Sequence, residues 1–217
     1  MGQYYYIVNL DKQQIICPRA FGDGIKLMEF GSSGQGAMCA LAVLLSSGNG
    51  RGGGDILGLD NIPKRHRLQQ EAAKMVGSWE GDRIVIAGDY ADNLLHLTRK
   101  QQRHYKKQMP IILKEELENW KPAFHMDERQ RAEINFRLNL SRVKNNQFNL
   151  YDYASRFFTD ISDMALRMIL LDNYLLQDYI SNAAKGYNHY PAKWLKKRIK
   201  KQKDLLETTV EEIFNNL

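Results

Sequence analysis

The stretch Tyr4-Tyr-Tyr-Ile-Val-Asn-Leu-Asp-Lys-Gln-Gln-Ile-Ile-Cys17 places two short runs of aromatic and β-branched residues on either side of four polar ones. Because such residues favour the pleated surface of a sheet and the polar ones let the chain turn, we expect a β-hairpin here. A third run, Arg83-Ile-Val-Ile-Ala87, lies between Gly81 and Gly88 and is the clearest single strand in the sequence. These strands predict a small, mostly antiparallel sheet.

Helical patterns account for most of the remaining chain, especially after residue 92, where Lys, Gln, Arg, Glu and Asn become frequent. The apolar run from Ala37 to Leu45 predicts a buried helix, whereas residues 25–30 are too few to distinguish strand from helix, and residues 148–158 stay ambiguous. Prolines at 110 and 122 predict helix ends. We expect further helices at residues 61–77, 94–108, 111–120, 127–143, 164–184 and 191–214. The sequence therefore predicts an α+β fold: a small sheet packed by helices in the N-terminal part and a predominantly helical C-terminal half.

Length and cysteine content limit the class of protein. A chain of 217 residues suits one large domain or two small ones, and it can bury a sizeable core without stabilising disulfides or metal ions. Its two cysteines, Cys17 and Cys39, make no disulfide framework. The first residues lack the pattern of a signal peptide, and no run of about 18 apolar residues could span a bilayer. We therefore expect a cytoplasmic protein without a membrane partner.

Positive charge is concentrated in two segments. The chain carries a net charge of +6, and seven of the eleven residues from Lys193 to Lys203 are Lys or Arg. Lysines crowd the first half of the last helix and acids the second half, which opposes the helix macrodipole and indicates a partner that bears phosphates. A solvated helix face would show the same pattern, and an acidic protein is the alternative partner to DNA or RNA. The candidate nucleic-acid-binding residues are Arg99, Arg103, Lys107, Lys193, Lys196, Lys197, Lys200 and Lys201.

Glycines crowd the first third of the chain, and five of the seven residues from Gly48 to Gly54 are glycine. Such a loop is costly to order unless something binds there or packs over it, so we expect a ligand site built partly from main chain. Aspartates beside glycines could converge on that site, although Asp in such a position also caps helices and closes turns. The candidate ligand-binding residues are Gly52, Gly53, Asp55, Asp89, Tyr90 and Asp160. The five histidines show no metal-ligand spacing, so we expect no metal, and the sequence identifies no cofactor.

The order of segments 25–36, 55–60 and 83–90 resembles the front half of an S-adenosylmethionine-dependent methyltransferase. The resemblance implies a strand that ends in a glycine loop, a second strand that ends in an acid for the ribose, and a third strand followed by Gly88-Asp89. It implies an enzyme that binds S-adenosylmethionine or a nucleotide.

A second set of motifs resembles a family of small prokaryotic and phage proteins that has no assigned activity. The motifs are Met1-Gly-Gln-Tyr-Tyr, Val8-Asn-Leu-Asp-Lys12, Phe21-Gly-Asp-Gly-Ile-Lys-Leu-Met-Glu29, Arg51-Gly-Gly-Gly-Asp55, Trp79-Glu-Gly-Asp-Arg-Ile-Val-Ile-Ala-Gly-Asp-Tyr-Ala-Asp92 and Phe158-Thr-Asp-Ile-Ser162. The resemblance implies a glycine-rich α+β core in residues 1–92, a helical elaboration in residues 93–147, and a return to the core in residues 148–217.

The function that we expect from these patterns is that of an accessory protein of unassigned activity, which contacts nucleic acid through its basic helices. An enzyme that binds S-adenosylmethionine or a nucleotide is one alternative. A module that binds an acidic protein is the other.

Overall fold

A computed structural model describes residues 3–34, 36–47, 64, 66–91, 94–120, 127–188 and 191–215, and the backbone alone for residues 127, 128, 173 and 207–215. The chain forms two compact units. Unit 1 comprises Met1–Ile86 with Thr159–Leu217, and unit 2 comprises Ala87–Phe158. The helical elaboration that the sequence resemblance implies covers residues 93–147, whereas unit 2 is longer and covers Ala87–Phe158.

The sheet has four described strands, β1 (Tyr5–Asn9), β2 (Gln14–Ile16), β3 (Ile84–Gly88) and β4 (Thr159–Asp160), in the spatial order β3-β1-β2-β4. The expected hairpin is confirmed, because β1 and β2 are antiparallel and Ile7 faces Ile16 across the pair. The Asn9 side chain shapes its turn by accepting hydrogen bonds from the backbone N–H groups of Asp11 and Lys12, at 3.0 and 2.9 Å.

Strand β4 makes the sheet mixed, since it runs parallel to β2 with Thr159 beside Gln14. The sequence pattern does not predict this strand. It is only two residues long. Two backbone hydrogen bonds hold it: the Thr159 N–H donates to the Gln13 carbonyl at 2.9 Å, and the Ile161 N–H donates to the Ile15 carbonyl at 3.0 Å.

The described residues form nine α-helices: α1 (Leu27–Gly31), α2 (Ala37–Leu45), α3 (Arg67–Ala73), α4 (Arg99–Glu118), α5 (Asp127–Lys144), α6 (Leu150–Phe157), α7 (Ser162–Ile169), α8 (Asn173–Ala184) and α9 (Lys196–Asn215). Short 3₁₀ turns cover Pro18–Phe21 and Lys193–Leu195. The α+β fold with a helical C-terminal half is thereby confirmed. The segments that the sequence leaves ambiguous, 25–30 and 148–158, prove to be largely helical, and the start expected at residue 61 lies outside the described residues.

The core of unit 1 lies between the hairpin and the helices α1, α2 and α7. Ile7, Ile16, Phe30, Trp79 and Met168 are all fully buried there. The Trp79 indole N–H donates to the Gln14 side-chain oxygen at 2.7 Å, so its one polar atom is satisfied inside the core.

The predicted helix end near Pro110 is wrong, because α4 continues through this proline. Proline removes a backbone donor and usually breaks a helix interior. Here Tyr105, Met109 and Leu113 recur every fourth residue and are all buried, so one packed stripe passes the proline on both sides. The carbonyl that loses its partner is that of Lys106, an exposed residue, where water can hydrogen-bond to it.

The single helix expected over residues 164–184 is also wrong. The structure divides it into α7 and α8, and Asp172 begins the second by accepting the Leu175 N–H at 2.8 Å. A capping aspartate satisfies one of the backbone donors that lack a partner at the start of a helix, so Asp172 stabilises the start of α8. No helix in the described ranges combines the length and the apolarity that crossing a membrane requires.

Candidate functional site

The basic segment, which we define as residues 193–203, begins with the 3₁₀ turn and continues into α9. Leu195 is buried and Ile199 is partly buried against the core of unit 1, and Gln202 is partly buried one turn later. This spacing places one face of the helix on the protein and leaves the opposite face to solvent.

The exposed face carries the predicted lysines. Lys193, Lys196, Lys197, Lys200 and Lys201 are all exposed, and none of them forms an ion pair with an acid in the described part of the chain. They lie at or near the start of α9, where the helix macrodipole is positive, so the local field repels further cations and attracts anions. The structure therefore groups these five predicted residues on one surface.

Trp194 anchors the start of the basic segment to helix α7. Its indole N–H donates to the Asp163 carboxylate at 2.9 Å, and the Arg167 guanidinium lies 4.2 Å from the centre of its ring. Arg167 also bonds Asp163 at 2.9 Å, so three side chains from α7 and the 3₁₀ turn hold one another. This contact orients the first residues of α9.

The second basic group, Arg99, Arg103 and Lys107, lies on α4 in unit 2. These residues recur every fourth position and are exposed, on the side of α4 away from the buried stripe of Tyr105 and Met109. Their helix is begun by Thr98, which accepts the Gln101 N–H at 3.3 Å while the Gln101 side chain accepts the Thr98 N–H at 2.9 Å.

The predicted ligand-binding residues fall into three groups. Gly52, Gly53 and Asp55 lie outside the described residues. Asp89 and Tyr90 follow β3 in unit 2, where the buried Asn149 amide donates to the carbonyls of Gly88, Asp89 and Ala91. Asp160 belongs to unit 1. The convergence of Asp55, Asp89 and Asp160 stays a prediction.

Asp160 performs a local structural role. One carboxylate oxygen accepts hydrogen bonds from the Ser162 N–H and hydroxyl, at 2.9 and 2.5 Å, where α7 begins. The Ser162 hydroxyl oxygen in turn accepts the Cys17 N–H at 2.8 Å. Asp82 is similarly engaged, because Asn9 and Lys12 donate to it at 2.7 and 2.5 Å, and the Lys12 bond lowers the pKa of its carboxyl.

A further site, which the sequence analysis misses, is a cleft of about 250 Å³ within unit 1. We call it the polar cleft, and its polar side chains include Asp23, Ser33, Asp178, Asn182, Tyr187 and Asn188. They come from the loop after the first 3₁₀ turn, the loop before α2, helix α8 and the turn that follows it.

Two glycines allow side chains to lie close to the backbone at the polar cleft. Gly22 has a φ of +86°, and a Cβ there would lie 2.5 Å from the Asn188 amide. A Cβ on Gly36 would overlap the Asp23 carboxylate. That carboxylate instead accepts the Ala37 N–H at 2.7 Å, and burial raises its pKa.

The two cysteines offer no activated nucleophile. Cys17 and Cys39 are free and partly buried, and burial raises the pKa of both thiols. A thiol with a raised pKa carries little thiolate at neutral pH, which is the reactive form. Within the described ranges, no group of three or more His, Cys, Asp and Glu residues is placed to hold a metal ion.

Comparison with protein-family models, with curated proteins and with solved structures finds no match to this chain. Both sequence resemblances therefore stay predictions. The methyltransferase resemblance implies a strand before the glycine loop, whereas residues Leu27–Gly31 form helix α1 and the described strands form a mixed sheet.

Proposed function

We propose that the protein binds nucleic acid through the phosphate backbone, with the basic segment as the contact surface. The observation that carries the proposal is the group of five exposed lysines that have no acidic partner among the described residues. Unpaired cations on one helix face are the electrostatic footprint of a protein that neutralises phosphates.

The cost of the arrangement supports the proposal. Each lysine near the positive end of a helix is unfavourable by a few tenths of a kcal/mol, and mutual repulsion adds to this. The apolar contacts of Leu195 and Ile199 already dock the helix, so the lysines are not needed for packing. A phosphate partner would remove the repulsion and release counterions.

The geometry suits backbone contact rather than base readout. Lys197, Lys200 and Lys201 lie within little more than one turn, which is a length of roughly 6 Å along the helix axis. Lysine is a compact point charge on a flexible stem, and it contacts phosphate without reading sequence. We therefore expect binding that is strongly salt-dependent and weakly sequence-dependent.

The test replaces Lys197, Lys200 and Lys201 together with Gln, which has a similar helix propensity. Binding to a fluorescent DNA duplex and a single strand of mixed sequence is followed by anisotropy from 50 to 200 mM salt. We expect the affinity to fall about 10- to 100-fold. We also expect the magnitude of the negative slope of log K against log salt to decrease by about 2.7 on the duplex, or about 0.9 for each lost phosphate contact.

A matched control removes the same charge elsewhere in unit 1. Lys64, Lys74 and Lys185 are exposed lysines outside the basic segment, and their replacement with Gln also lowers the net charge by three. This control should keep most of the affinity and the slope. Equal losses in the two triple variants would show that net charge alone drives binding, and an unchanged basic-segment variant would refute the proposal.

A further inference from the structure

The polar cleft is electrostatically unlike the basic segment. Its described lining contains two carboxylates, Asp23 and Asp178, and no Lys, Arg or His. Neither carboxylate forms an ion pair with any described residue. Such a lining repels phosphate and carboxylate ligands and attracts cations.

Both carboxylates are held in place by hydrogen bonds rather than by counter-ions. Asp23 accepts the Ala37 N–H at 2.7 Å through one oxygen and also bonds Ser33. Asp178 accepts the Asn182 amide at 2.8 Å, also through one oxygen. Since an ionised carboxylate offers about four acceptor sites, both retain capacity for a ligand that donates.

The remaining walls are suited to a short organic molecule. Phe21 and Leu175 supply apolar surface, and Tyr187, which is 72% exposed, stands at the rim with an aromatic face. The cleft volume of about 250 Å³ lies below the range of about 300–1,000 Å³ that is usual for drug-sized ligands.

We infer that the polar cleft binds a small organic cation, a short aliphatic primary amine, whose ammonium group donates to Asp23 and Asp178. A primary ammonium has three donors and no acceptor, which complements a lining of carboxylate and carboxamide oxygens. Its methylene chain lies against Phe21 and Leu175, and in a diamine the second ammonium meets the Tyr187 ring at the rim as a cation–π contact.

A metal ion suits the site less well. Hard cations require six or more oxygen ligands for Ca²⁺ or near-octahedral geometry for Mg²⁺. The described residues include no group of three or more His, Cys, Asp and Glu side chains placed around one point. The hydroxyl and side-chain amide oxygens of the polar cleft, by contrast, can each accept a hydrogen bond from an N–H group of an organic ligand.

The test is a calorimetric titration of the full chain with 1,4-diaminobutane, alongside 1,4-butanediol, which has the same length and no charge. We expect saturable one-to-one binding of the diamine and at least 10-fold weaker binding of the diol. Asp178→Asn should weaken diamine binding at least 10-fold. Glu80→Gln, which removes one exposed negative charge outside the cleft, should leave it unchanged.

A second variant guards against a folding defect. Asp23→Asn retains a side-chain oxygen for the Ala37 N–H, so it keeps the start of α2 while removing the charge. We expect it to weaken binding as Asp178→Asn does. Equal binding of diol and diamine, or wild-type binding by both folded cleft variants, would overturn the inference. Because the basic segment takes no part, its Gln variant should bind the diamine as the unaltered chain does.

Discussion

Substitution of Asn149 tests how unit 2 holds the turn that carries Asp89 and Tyr90. Asn149 is 2% exposed, and both the oxygen and the nitrogen of its side-chain amide form hydrogen bonds. Its oxygen accepts the Asp152 N–H at 3.1 Å at the start of α6. Its nitrogen donates to the carbonyls of Gly88, Asp89 and Ala91 at 3.3, 3.1 and 3.4 Å.

The expected loss of stability has two parts. Asn149→Ala removes an N-cap, which costs about 1 kcal/mol. It also leaves the buried Gly88 carbonyl and the partly buried Asp89 and Ala91 carbonyls without their side-chain donor, which costs about a further 1–3 kcal/mol. We therefore expect unit 2 to lose about 2–4 kcal/mol. Asn149→Ser restores a capping oxygen but cannot reach the turn, so it should recover only the first part.

Native-state hydrogen exchange measures this change, because it reports on each unit separately in a chain that need not unfold in one step. The amides of α6 and of residues 88–91 should lose protection, with the turn affected in both variants and α6 mainly in the alanine variant. Asn145→Ala is the control, since Asn145 is exposed and its side chain bonds Ser141 at 3.4 Å. A loss no greater than that of this control would refute the reasoning.

Two further predictions concern α4. Pro110→Ala should raise the free energy of unfolding of unit 2 by about 1–3 kcal/mol, because it restores a backbone donor inside a continuous helix; a lower denaturation midpoint would contradict this. Burial raises the pKa of Tyr105 to about 12, above its ordinary value of 10.0. Between these two values the folded state keeps a proton that the unfolded state loses, so the free energy of unfolding should fall as pH rises from about 10 to about 12. Tyr105→Phe, followed by denaturant unfolding across this pH window and by absorbance of tyrosinate, should flatten that fall; an unchanged slope would contradict the assignment.

Local patterns explain the parts of the fold that the sequence predicts well. The hairpin, helix α2 and strand β3 each follow from neighbouring residues, through alternating or continuous apolar runs bounded by turn residues. Two features that the sequence analysis misses depend on packing between distant residues. Helix α4 passes Pro110 because a buried stripe outweighs one lost hydrogen bond, and β4 exists because two residues pair with a strand far away in sequence.

The candidate sites differ in the same way. The basic segment is contiguous, so its charge is visible in the sequence and its exposed face follows from helix periodicity. The polar cleft is assembled from residues 21–36 and 175–188, where each segment alone resembles an ordinary turn or helix. The spacing of Asp178 and Asn182, four residues apart on a largely apolar helix, is the one local signal that points to it.

The positions of β3 and β4 also decide how the protein can be shortened. They form the two edge strands of the sheet, so the chain leaves the sheet after the edge strand β3 and returns to it at the opposite edge strand, β4. With about 4.8 Å between neighbouring strands, a bridge that replaces residues 87–158 must cover roughly 14 Å across the sheet. Strand β3 starts beside Leu10 and β4 starts beside Gln14, both near the hairpin turn, so the bridge must also return roughly 10 Å along β3, which makes about 17 Å or at least about six extended residues. A tighter splice would pull an outer strand out of register, whereas a bridge of adequate reach would give a miniature protein that still presents its lysines.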